Sequence, residues 1–150
     1  MSPWSHPTTI PPGPMTRDLA PRPGVTLVEG GADVAVYAGH ADAVELCLFD
    51  AGDKAGTSER RIPLLERAHG WWFAFVPGIT AGQRYNFRAH GAWSPDQGLR
   101  HNPAKLLLDP YAKAIEGKVR WGAEVYGHVV DERWRGDGEL VSDLDSRAHV

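Results

Sequence analysis

Between Gly24 and Gly91 no stretch keeps one backbone period long enough to make a helix. The chain breaks every few residues at glycine, proline or aspartate, and this habit limits what it can fold into. Residues 44–49 place Val44, Leu46 and Leu48 on one face of a strand, with Glu45, Cys47 and Phe49 on the other. Residues 50–56 then read as a turn. Residues 32–37 alternate more loosely. Residues 59–65 read as a strand that Pro63 confines to an edge or an end. Residues 71–76 form a dense aromatic strand closed by Pro77-Gly78. Residues 83–90 alternate cleanly, with Tyr85, Phe87 and Ala89 inward against Arg84, Asn86, Arg88 and His90. Short strands between turn signals predict an all-β, antiparallel β-sandwich.

The two ends differ from this middle. Pro3, Pro7, Pro11, Pro12, Pro14, Pro21 and Pro23 disfavour helix and central strand, so residues 1–23 read as a disordered, proline-rich tail. Residues 1–10 lack the basic start and apolar run of a signal peptide, and no apolar run reaches the roughly 20 residues that cross a bilayer. The expectation is a soluble, cytoplasmic protein with no membrane partner. Residues 104–114 could carry a turn or two of helix before Pro110 stops it. Residues 125–130 read as a short strand, and residues 131–150 are polar and loop-like. The expected division is therefore a tail over 1–23, a sandwich over 24–115 and a linker over 116–150.

Chemistry is harder to find. Hydrophobic residues make up 42% and charged residues 23%, enough to build a core without staples. A net charge of -3 leaves no broad basic surface for phosphates, which argues against nucleic acid as the partner. The lone Cys47 cannot form an intrachain disulfide and reads as a buried structural thiol in a reducing compartment. The seven histidines are scattered without HExxH spacing, so no metal and no cofactor are expected. Gly30-Gly31 and residues 52–56 lack the order of a phosphate loop. Asp131, Glu132, Asp143 and Asp145 lie in the expected linker. A glycosidase needs two carboxylates held roughly 5 to 10 Å apart on a rigid scaffold. No catalytic residue is assigned.

Trp71 and Trp72 are the candidate carbohydrate contacts, because a sugar's apolar C–H face packs on indole. On one strand they face opposite sides, so only one can be core. The outward one is either covered by neighbouring protein or touches glucan.

Residues 83–91 (QRYNFRAHG) and 102–112 (NPAKLLLDPYA) resemble the N-terminal region of bacterial glycogen debranching enzymes of the isoamylase type, in glycoside hydrolase family 13. Residues 44–50, Gly70-Trp71-Trp72 and Val76-Pro77-Gly78 are similar to that family's strands and turn. Val25 to Gly30 stands where the family often has Pro-Leu-Gly, and Ala92 and His101 also depart from its pattern. The resemblance implies an immunoglobulin-like (E-set) module of carbohydrate-binding module family 48, with irregular extensions at both ends. It also implies a following (β/α)8 barrel that hydrolyses α-1,6 branch linkages in glycogen or limit dextrin. The barrel's acidic residues would lie beyond this chain.

Three readings follow. The first is a non-catalytic accessory domain that packs on the barrel, with Asn102, Pro103, Lys105, Leu106, Leu107, Asp109, Pro110 and Tyr111 as the docking corner. Leu106, Leu107 and Leu108 cannot all face one core, and Pro103 and Pro110 set the backbone direction on either side. The second is an autonomous module that binds glycogen or another α-glucan. The third is an immunoglobulin-like protein-interaction domain. An apolar outer patch at the corner favours the first reading, and an exposed coplanar aromatic platform the second.

Overall fold

A computed structural model describes residues 22–148. Nearly all of the proline-rich tail thus lies outside the described residues. Among the described residues nine strands run in order: β1 (Gly24–Val28), β2 (Gly31–Tyr37), β3 (Ala43–Phe49), β4 (Arg60–Pro63), β5 (Glu66–Ala68), β6 (Trp71–Pro77), β7 (Arg84–His90), β8 (Trp93–Ser94) and β9 (Leu99–Arg100). The larger sheet has the order β1-β2-β6-β5 and the smaller β4-β3-β7, while β8 and β9 form a small hairpin. All pairings are antiparallel. This is the all-β sandwich that the alternation predicts.

The two sheets share one apolar core. Val34, Trp72, Ala74 and Val76 from the larger sheet meet Val44, Leu46, Leu48, Ile62, Phe87 and Ala89 from the smaller. Gly31 is required where β2 passes β6, because a Cβ there would lie 2.3 Å from the Val76 carbonyl oxygen. Pro63 closes β4, an edge strand, as its missing N–H demands.

Three expectations fail, for one reason. Residues 104–114 carry no helix; Leu107 instead makes a two-way backbone bridge with Phe87 on the free edge of β7, at 2.8 and 2.9 Å. Residues 125–130 are not a strand. A 3-10 turn spans Ala123–Val125, and His128 bridges Val141. Nor do residues 122–148 hang free as a linker: the backbone of Ser142 bonds Gly127 and that of Ser146 bonds Ala104. Each segment takes its conformation from long-range partners, Leu107 from β7 and the later two from residues 102–105 and from each other, overriding local propensity.

Candidate functional site

Strand β3 sits at the centre of the smaller sheet and is buried on both faces, from Val44 to Phe49. Its outer face is not solvated: Cys47 and Phe49 cluster there with Leu106. Arg88 on neighbouring β7, which the alternation places on the outer face, is completely buried. Its Nε and one terminal nitrogen donate to the two Glu59 oxygens at 2.7 and 3.1 Å. It also donates to Asp145 at 2.9 Å and to the Pro103 carbonyl at 2.8 Å. Burial alone would raise the Glu59 carboxyl, but hydrogen bonds from Arg88 and Arg61 outweigh it and hold the group below its usual range. Asp145 is lowered in the same way, burial being outweighed by the Arg147 backbone and Arg88. Burial, with Glu59 alongside, pushes the Cys47 thiol well up, which keeps it protonated and a poor nucleophile.

Residues 102–109 and 142–146 close over this face. Asn102 Nδ2 donates to the carbonyls of Gly127 (2.9 Å) and Ser142 (2.7 Å). The Lys105 ammonium donates to the carbonyls of Glu124 (2.7 Å) and Leu144 (2.5 Å). The Leu106 N–H donates to Ser146 Oγ at 2.8 Å. Asp109 accepts from the Tyr85 hydroxyl at 2.7 Å and from the Tyr111 N–H at 2.8 Å. Four residues assigned to the docking corner, Asn102, Lys105, Leu106 and Asp109, are therefore buried in this domain's own contacts. Pro103, Leu107, Pro110 and Tyr111 are exposed, as is Leu108. Leu108 also lines a cleft of about 610 Å³ with Val25, Leu48, Ile79, Tyr85 and Ile115.

The aromatic pair divides as the strand phase requires. Trp72 is core; its indole N–H donates to the Ala38 carbonyl at 3.0 Å, and the Arg67 guanidinium lies 4.8 Å from its ring centre. That removes Trp72 from the candidate sugar contacts. Trp71 faces outward, edge-on to Tyr37 at 5.7 Å with 71° between the rings. The two do not make a coplanar platform. Among the described residues, no three histidine, cysteine, aspartate or glutamate side chains are grouped to hold a metal. No described helix is long and apolar enough to cross a membrane.

Sequence reasoning missed Glu59, Arg88 and the inward roles of Lys105 and Asp145. A strand's alternation says which face a residue takes and nothing about what covers that face.

Residues 22–112 match the model of the family described as carbohydrate-binding module 48 (isoamylase N-terminal domain). The chain belongs to this family. The resemblance carried by residues 83–91 and 102–112 is thereby confirmed. This carbohydrate-binding module 48 domain is 42% identical over 107 residues to a glycogen debranching enzyme of Cronobacter sakazakii, covering 71% of this chain and 16% of that protein. It is 45% identical over 105 residues to one from Serratia proteamaculans, covering 70% and 15%. The chain thus spans only about a sixth of the length of the curated relatives it matches. Among solved structures it is similar to a pullulanase from Bacillus acidopullulyticus, with a TM-score of 0.49 and 20% identity, over 65% of this chain and 11% of that one. The family match ends at Ala112, so Asp145 and the segment that carries it lie beyond it, while Glu59 and Arg88 lie within.

Proposed function

We propose that this chain is the non-catalytic N-terminal accessory domain of a glycogen debranching enzyme, packing on a catalytic (β/α)8 barrel that hydrolyses α-1,6 branch linkages. One observation carries the reading: identity of 42 to 45% to glycogen debranching enzymes, over only 15 to 16% of their length. The buried carboxylates support a non-catalytic role, since Glu45, Glu59 and Asp109 are each engaged by His90, Arg88 and Tyr85. Exposed Leu107, Leu108 and Tyr111 supply an apolar edge for the barrel. A cytoplasmic setting suits a lone, buried, protonated thiol.

The purified chain, incubated with pullulan or glycogen, is expected to release no reducing ends above a buffer blank. Release that survives removal of contaminating host enzymes would overturn the reading. A second reading, direct α-glucan binding, is favoured by outward Trp71 beside exposed Tyr37. Glycogen affinity electrophoresis separates the two: retardation abolished by Trp71→Ala would support the binding module.

A further inference from the structure

The segment beyond the family match is built inside out. Ser142 and Ser146 are its buried side chains, at 4% and 1% exposure, while Leu140, Val141 and Leu144 stand at 65%, 49% and 46%. A strap laid on a soluble domain ordinarily turns its apolar side inward, because burial yields about 25 cal/mol per Å² of apolar surface. Here the inner side is polar because the surface beneath it is polar. Ser146 Oγ accepts from the Leu106 N–H, the Ser142 carbonyl accepts from Asn102, the Leu144 carbonyl accepts from Lys105, and Asp145 meets Arg88. The outer side has no such cause within this domain. Trp121, in the same extension, is 76% exposed.

We infer that residues 119–146 form a two-sided adapter, whose polar inner side is locked to the sandwich and whose apolar outer side seats the catalytic remainder of the parent polypeptide. The inference rests on the accessory-domain reading and moves the main docking surface from the 102–111 corner to the extension. Length and position argue for this occupant. Most of each matched relative lies outside the shared region, and the extension lies after the family match, between it and any following chain. A sheet edge cannot be the docking element at the corner, because Leu107 already pairs the free edge of β7. Buried inner bonds would fix the orientation of the adapter, so that seating the remainder also orients the sandwich.

Hydrogen exchange on this chain alone and within the longer polypeptide tests the inference. Peptides covering 119–146 are expected to exchange at least about ten-fold more slowly in the longer polypeptide, a gain of about 1.4 kcal/mol in local opening. Added to the separately produced remainder, the chain carrying Leu140→Asp and Leu144→Asp should bind at least about ten-fold more weakly than wild type. Its own thermal midpoint should be unchanged, which shows that the fold survives the substitutions. If wild-type chain and remainder do not associate at all, the accessory-domain reading falls, and this inference with it. If they associate but protection appears only over 102–111, or the double variant binds as wild type, the inference alone is overturned. Concentration-dependent dimerisation that the double variant abolishes would also overturn it, assigning the surface to a second copy.

Discussion

Toward the larger sheet, β3 presents Val44, Leu46 and Leu48 to a wholly apolar core. Away from it, the same strand presents Glu45, Cys47 and Phe49 to a layer organised around Arg88, Glu59 and Asp145. The first face is held by area removed from water, which has no direction and tolerates repacking. The second is held by charges taken out of water, which stabilise nothing unless every partner is in place. The guanidinium meets that condition through four hydrogen bonds to three residues. One sheet of this domain is therefore closed on one side by apolar packing and on the other by an ion clamp that the extension completes.

Removing the clamp should have the largest effect. Arg88→Ala leaves Glu59 buried with weakened compensation and should cost about 3–5 kcal/mol in a urea unfolding curve. A midpoint shift no larger than a surface substitution gives would show that the outer face is not held by this network. Leu46→Ala, on the apolar face, should cost about 2–5 kcal/mol through the cavity it leaves.

Acid separates the two faces more sharply than size does. Glu59 and Asp145 are held below their ordinary values of 4.5 and 3.8. Their contribution is therefore complete above that range and is lost as pH falls through the lower folded-state values. The penalty of Arg88→Ala should shrink as pH is lowered below about 4, while that of Leu46→Ala stays constant. Equal pH dependence of the two penalties would contradict the assignment of opposite physics to the faces.

Two smaller effects sharpen the boundary between the faces. Glu45 is buried, yet its partners His90 (2.9 Å) and Arg61 (3.8 Å) both reach water. Glu45→Ala should therefore cost about 1 kcal/mol, clearly less than Leu46→Ala, in the same unfolding assay. Leu108→Ser, at the exposed corner, should stay within about 0.5 kcal/mol of wild type. A larger loss would mean that the corner belongs to the core.

Read along the chain, β3 and β7 are legible because the alternation of Val44, Leu46 and Leu48, and of Phe87 and Ala89, is a local property with period two; β6 is legible as a strand, but its run of large apolar residues leaves open which face is inward. The family is legible for a similar reason, in the contiguous runs 83–91 and 102–112. The candidate site was only half legible. Pro103 and Pro110 mark residues 102–112 as a rigid corner, but nothing in that run says that Asn102, Lys105, Leu106 and Asp109 turn inward while Leu107, Leu108 and Tyr111 stay out.

The phase of β3 and β7, the sandwich class and family membership were thus determined by the sequence alone. Tertiary structure decided that Arg88 is buried, that Trp72 and not Trp71 is core, and that residues 122–148 fold back onto residues 102–106 and Arg88. The physical reason is range. Arg88 meets Glu59 across 29 residues and Asp145 across 57, so the burial of that charge depends on contacts no local pattern encodes.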